Sequence, residues 1–418
     1  MKTHFEILII GAGNAGISAA SQLLLKKPLL SIGIIEPSEK HYYQPAWTLV
    51  AGGDFDMKAT IRTQQSVMPE KVKWIKNKAV SFQPEKNEVT CEQNEIYTYD
   101  YLIVAPGIQL DWHKIKGAKE ALGKNGVTSN YLPHLPEYTW QLAQEFKGGN
   151  AVFTNPNTPI KCGGAPQKIT YLLSDYFRKK GVLKNSNVHF YSGGGVIFGV
   201  KKYANTLNEV IQRYGIKTHF KHNLIEIKGD EKIAVFEHID EQGIKRIIEQ
   251  PYDLLHVTPP QSAPDFIKNS PLAIPDTAGA AADTPCQPGQ HSANFLGWVD
   301  VNKHTLQHNR YPNIFSCGDV ANTPNAKTGA AIRKQVPVMV QNILSLMEYK
   351  QPAAEYNGYG SCPLVTGYGK LVLAEFDYNN EPTESFPIDQ SKERWSMYAL
   401  KKYVLPWLYW NKILKGTA

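Results

Sequence analysis

Short apolar runs alternate with amphipathic stretches along this chain, a rhythm that predicts an α/β protein. His4-Phe-Glu-Ile-Leu-Ile-Ile10 reads as a buried strand running into Gly11-Ala-Gly13-Asn-Ala-Gly16, with a helical stretch behind it. Ser31-Ile-Gly-Ile-Ile-Glu36 predicts a second strand, ending on an acidic residue 20 positions after Gly16. Tyr97-Thr-Tyr-Asp-Tyr-Leu-Ile-Val-Ala-Pro-Gly107 predicts a strand closed by a small-residue turn, and Tyr311-Pro-Asn-Ile-Phe-Ser-Cys-Gly318-Asp319 a short one closed by Gly-Asp. A second α/β unit is expected from about 148 to 260, with strands at 150–154 and 187–191 and helices at 167–178 and 203–214. Residues 270–297 are rich in Ala, Pro and Gly without a period, which predicts a surface loop.

The glycine run is a G-x-G-x-x-G fingerprint in its expected context of strand, helix and second strand. Gly11 allows the tight turn, Gly13 lets the backbone approach a pyrophosphate, and Gly16 lets the helix pack against the strand. Asn14 and Ala15 sit in that turn, where the unpaired N–H groups and the dipole of the helix face the phosphates. Glu36 is placed to accept from a ribose hydroxyl. Gly107, together with Gly318 and Asp319, supplies further strand ends, which an extended FAD needs and a soluble NAD site does not. As a set, these segments resemble the two-dinucleotide-binding-domain flavoproteins over roughly residues 1–345. The resemblance implies two Rossmann-like domains. The FAD-binding domain is expected at 1–110 and 298–348, a second domain at 111–297, and a C-terminal region at 349–418.

In such proteins the second domain carries the nicotinamide dinucleotide. Here its turn is Ser192-Gly-Gly-Gly-Val-Ile-Phe198-Gly199, with Phe198 at the third glycine position and no acidic residue closing the next strand. A degenerate nucleotide site is expected. The net charge of +7 is mild and scattered, and no basic tract or nucleic-acid signature accompanies it, so no nucleic-acid partner is expected. The N-terminus shows no signal-peptide pattern and no apolar run reaches 18 residues, so neither a cleaved secretory or transit peptide nor a membrane span is expected.

The five cysteines, Cys91, Cys162, Cys286, Cys317 and Cys362, are widely spaced without C-x-x-C or metal-ligand spacing, which argues against a structural disulfide framework and against zinc. Cys162 stands before a predicted helix, between Lys161 and two glycines, with Lys168 a turn or two on; these features favour a thiolate. Cys362, 200 residues later, is expected in a turn before a strand. Cys286 falls in the Ala/Pro-rich segment and reads as incidental.

Tyr43-Gln44-Pro-Ala-Trp-Thr-Leu-Val50, Asn157-Thr-Pro-Ile-Lys-Cys162-Gly-Gly-Ala-Pro-Gln-Lys-Ile169, Ile197-Phe-Gly-Val-Lys-Lys-Tyr-Ala204, Leu255-His-Val-Thr-Pro-Pro260, Ser361-Cys-Pro-Leu-Val-Thr-Gly-Tyr368 and Leu373-Ala-Glu-Phe-Asp-Tyr378 resemble the sulfide:quinone oxidoreductase family. The resemblance is nearest to its mitochondrial branch, covers nearly the whole chain, and implies sulfide oxidation through a redox-active cysteine pair. Two electrons would pass through FAD to a membrane quinone. Cys162 would be the sulfur beside the flavin, and Cys362 would take the sulfane sulfur as a persulfide. An acceptor such as sulfite, glutathione or another thiol would then remove that sulfur. The same motifs imply flavin contacts at Gln44, at Ala79 beside the adenine, and at Lys327 and Thr328 near the ring, where a cation would stabilise anionic reduced flavin.

Residues 395–415 hold three tryptophans, three tyrosines and four lysines with no acidic residue, the character of a monotopic foot at a bilayer surface. Pro406 is expected to divide it into two short helices. Together these features imply a peripheral membrane protein, with the bacterial inner membrane as the expected location. The main alternative is a type II NADH:quinone dehydrogenase-like flavoprotein, with a cytochrome-linked sulfide dehydrogenase subunit and a non-catalytic FAD-binding protein behind it. Phe198 and the two cysteine segments weigh against the first.

Overall fold

The computed structural model describes residues 2–276, 292, 295–324 and 327–418. Cys286 and most of the Ala/Pro-rich segment lie outside the described residues.

The first sheet orders its strands Lys73–Ile75, Ile32–Ile35, Thr3–Ile10, Ile96–Val104, Glu88–Cys91 and Ala79–Gln83. The first four run parallel, and the last two fold back antiparallel. The short strand Ile314–Ser316 also lies parallel to the end of Ile96–Val104, pairing Ser316 with Val104. Parallel strands buried on both faces need continuous apolar runs, and Ile7 to Ile10 are all buried. Gly16 permits close packing: a Cβ there would come within 1.9 Å of the Gly11 carbonyl oxygen. The helix Asn14–Lys26 covers the sheet beside the long helix Gly329–Met347.

The second sheet is five-stranded and parallel throughout, in the order Val127–Thr128, Leu254–His256, Gly149–Asn155, Ser186–Ser192 and Lys217–Phe220. The helices Ala165–Lys180 and Lys201–Tyr214 pack on it, close to where the pattern put them. Gly181, with φ of +79°, ends the first of these as a left-handed cap, and Arg178, Lys179 and Lys180 complement its dipole. A three-stranded antiparallel sheet, His222–Lys228, Ile233–Ile239 and Lys245–Pro251, was not anticipated. Its strands alternate only loosely: Ala234, Val235 and Phe236 are buried in a row, which blurs the two-residue period a half-buried strand would show.

Two expectations fail in the C-terminal region. Cys362 is not in a turn but inside the strand Gly360–Gly367, paired with Ala374 of Lys370–Phe376. Pro406 does not divide the foot. Residues 395–413 form one continuous helical run in which the turns Leu400–Val404 and Tyr409–Ile413 are π-helical. A widened i→i+5 turn before the proline makes room for its ring and absorbs the missing N–H. Among the described residues no helix is long and apolar enough to cross a membrane.

Candidate active site

Ile10, Ile35, Val104 and Ser316 are the last residues of their strands, so Gly11, Glu36, Gly107 and Gly318-Asp319 all follow the carboxyl edge of one sheet. In parallel α/β sheets that edge is where ligands bind. A cavity of about 710 Å³ opens there. Gly11, Gly13, Asn14, Ala15, Glu36, Gln44, Gly107, Gly318, Asp319, Lys327 and Thr328 line it, together with Cys162.

The cradle suits a dinucleotide. Gly11 has φ of +94°, and a Cβ there would strike the Ala105 carbonyl oxygen at 2.5 Å. Gly13 meets nothing within 4 Å, so its face is open to an incoming phosphate. No side chain caps the helix that begins at Asn14, and its first turn carries no acid, so its N–H groups remain free for an anion. Glu36 accepts from the Ala12 N–H at 2.9 Å and the Ser38 N–H at 2.8 Å, which holds its carboxylate at the end of the second strand. Ala79 stands apart from the other expected contacts. It is buried in the sheet core opposite Cys91 and is not among the residues lining the cavity.

Thr328 caps the helix Gly329–Met347 by accepting from the Ala331 N–H. Lys327 is buried and lines the cavity. Its Nζ donates to the Ala321 carbonyl at 2.9 Å and stands 3.9 Å above the Trp298 ring. Burial pulls its pKa down to about 8 against the opposing pull of Asp319. Burial likewise raises that of Asp319, which Lys161 and Lys327 counter.

The strand Gly149–Asn155 of the second sheet leads into the Cys162 loop. Cys162 has a left-handed backbone, φ of +56°, held by two main-chain bonds: its N–H donates to Lys327 and its carbonyl accepts from Ala165. The Sγ atoms of Cys162 and Cys362 are 3.4 Å apart without a disulfide between them, and Lys168 Nζ lies 2.8 Å from Cys162 Sγ. The hydrogen bond from Cys362 is the largest influence holding the Cys162 pKa well down. Burial opposes it, and Lys168 and Lys401 assist. The same bond and burial drive Cys362 well up. One proton therefore stays on Cys362, and Cys162 is the thiolate. By contrast, burial alone raises Cys317 to about 12, an inert thiol.

Sequence reasoning missed several groups. Lys401, on the C-terminal helix, lines the cavity, and its buried Nζ donates to the Pro45 carbonyl at 3.0 Å. Burial and then Lys168 lower its pKa to about 7. His41 joins that helix to the glycine loop: Nδ1 contacts the Ala12 carbonyl at 3.1 Å and Nε2 the Tyr409 hydroxyl at 2.6 Å. Burial holds His41 neutral, pKa about 4, so Nδ1 carries the proton and Nε2 accepts from Tyr409. No local pattern marks these residues; each gains its role from a partner far along the chain.

The family model for pyridine nucleotide-disulphide oxidoreductases matches residues 5–137. Over 99% of its length the chain is 45% identical to the mitochondrial sulfide:quinone oxidoreductase of Mus musculus, covering 87% of that protein. The chain belongs to the sulfide:quinone oxidoreductase family. It is also 45% identical over its full length to the mitochondrial family member of Dictyostelium discoideum, again covering 87%. Among solved structures, the sulfide:quinone oxidoreductase of Aquifex aeolicus superposes with a TM-score of 0.76 at 20% identity, covering 98% of this chain and 92% of that one. That likeness shows the fold. The cofactor is FAD, which the cradle described above fits. A bacterial inner membrane finds no support, since the relatives matched at high identity are mitochondrial proteins.

Proposed function

We propose that this enzyme oxidises hydrosulfide at the Cys162–Cys362 pair and delivers two electrons through FAD to a quinone held under the C-terminal helix. The observation that carries the reading is the 3.4 Å approach of two sulfurs, one of them held by Lys168 at 2.8 Å. In the oxidised pair, hydrosulfide attacks the Cys362 sulfur and forms a new S–S bond. The Cys162–Cys362 bond breaks, and its electron pair leaves on Cys162. Thiol–disulfide exchange favours the better leaving thiolate, and Lys168 makes Cys162 that one. Cys362 then carries the sulfane sulfur as a persulfide, which a nucleophilic acceptor (sulfite, glutathione or another thiol) removes. Bound FAD supplies a two-electron acceptor that can hand the pair on to quinone.

The chain's own residues support the quinone end. Leu400, Lys401, Val404, Leu405 and Leu408 line the cavity from the C-terminal helix, which also exposes Trp395, Tyr403 and Trp407. Amphipathic rings at the surface suit a bilayer interface, which is where a lipid-soluble quinone would be met. Phe198 argues against nicotinamide as the electron source. Its ring stands where the fingerprint has its third glycine and packs edge-on against Tyr203 and Phe376 at centroid distances of 6.3 and 5.9 Å.

The test is flavin absorbance under anaerobic conditions. Sulfide alone should bleach the wild-type flavin and a soluble quinone should restore it, while Cys162→Ser and Cys362→Ser keep FAD and do not bleach. Bleaching by NADH alone would replace this reading with the dehydrogenase one.

A further inference from the structure

His256 closes the strand Leu254–His256 at the carboxyl edge of the second sheet, the same edge from which the Cys162 loop departs. It is 1% exposed, lines the cavity, and neither ring nitrogen has a hydrogen-bond partner. Buried polar groups in folded proteins are paired, so an imidazole with two orphan nitrogens in the wall of a cavity marks a place where a ligand or water completes the set. Asn130, which follows the neighbouring strand Val127–Thr128, repeats the pattern. Its Oδ1 accepts from the Thr139 hydroxyl, whereas its buried Nδ2 has no partner, and the residue lines the same cavity.

We infer that His256 and Asn130 form a binding subsite beside Cys162 for the small sulfur anion that reacts at the cysteine pair, an inference that rests on the function proposed above. Three features set the chemistry. The Asn130 amide brings unpartnered N–H donors on Nδ2. Burial lowers the His256 pKa to about 3, so the ring is neutral and offers one N–H and one lone pair. Phe153, at a centroid distance of 6.0 Å, holds the ring roughly parallel to its own. On the Cys162 side, Tyr131 and Lys161 also line the cavity, with the Tyr131 hydroxyl on the Lys161 carbonyl at 3.4 Å and the Lys161 Nζ on Gln44 at 2.5 Å. N–H donors on one side and the Lys161 ammonium on the other suit a compact anion better than a neutral or cationic ligand. Two such anions meet the pair in turn, hydrosulfide and the oxyanion acceptor sulfite. In the second case sulfite attacks the sulfane sulfur, the persulfide S–S bond breaks with its electron pair on Cys362, and thiosulfate leaves.

The test uses the FAD-loaded full chain in anaerobic stopped-flow. In His256→Ala, the sulfide concentration giving half-maximal bleaching should rise about tenfold, with the limiting rate little changed, and His256→Asn, which keeps a donor, should recover part of the loss. If the sulfide step is untouched and the half-saturating sulfite concentration rises instead, the subsite serves the acceptor. Asn130→Ala should show the same shift, which keeps the test decisive if His256→Ala does not fold. No shift in either concentration for any variant overturns the inference, as does loss of FAD from His256→Ala, which would make His256 a cofactor residue. Failure of sulfide to bleach the wild-type enzyme would instead sink the proposed function itself.

Discussion

The sulfur of Cys362 occupies space that a side chain on residue 164 would need: a Cβ at Gly164 would come within 2.6 Å of Cys362 Sγ and 2.3 Å of Leu364 Cδ2. The two reactive sulfurs can meet only because the loop between Cys162 and its helix is bare at that point. Gly164→Ala should therefore push the strand Gly360–Gly367 away and separate the pair. Sulfide-dependent bleaching should fall by at least about tenfold while FAD content stays at wild-type level. Bleaching at the wild-type rate would show that the strand can shift without cost.

The thiolate on Cys162 rests on a hydrogen bond from Cys362 and on Lys168. Because its pKa lies below the ordinary thiol value, the thiolate is present above that lowered pKa and lost as pH falls through it. Removing either support should move the midpoint upward, more for Cys362→Ala than for Lys168→Met. The rate of Cys162 alkylation by iodoacetamide as a function of pH reads this directly. An unmoved midpoint in both variants would mean that neither group holds the charge.

Lys401, buried with a pKa near 7, resists protonation in the folded state. The unfolded chain holds that proton up to a pH of about 10.4, so between about 10 and about 7 stability falls as pH falls. Lys401→Met removes the penalty. Its Tm should exceed that of wild type at pH 7, and the difference should shrink toward pH 10, as differential scanning calorimetry would show. Quinone-dependent reoxidation should slow in the same variant, because the amine hydrogen-bond donor that lines the cavity is gone.

The outward side of the C-terminal helix exposes Trp395, Tyr403 and Trp407. Replacing all three with Ser should lower co-sedimentation with phospholipid vesicles by about tenfold or more, since each ring contributes buried apolar area at the interface. Reduction of a short-chain, water-soluble quinone should continue. Unchanged vesicle binding would place the membrane contact elsewhere.

What the sequence determined by itself is local. A strand followed by G-x-G-x-x-G requires Gly11 to turn with positive φ and Gly16 to meet a carbonyl, and both constraints act within six residues. The apolar runs likewise carried the parallel strands and the helices between them, since burial on both faces leaves a continuous signature. The cysteines were legible as unusual, and the neighbourhood of Cys162 as thiolate-favouring, from Lys161, Lys168 and the helix start. The tertiary structure decided the rest. It brought Cys362 across 200 residues to within 3.4 Å, turned Lys168 onto one sulfur, and laid Lys401 and Tyr409 over the cavity. It also buried Lys327, kept Ala79 out of the cavity and let the helix pass through Pro406. Charges and sulfurs act through space over a few ångströms, and burial sets how strongly, so their partners depend on which distant segments share a cavity.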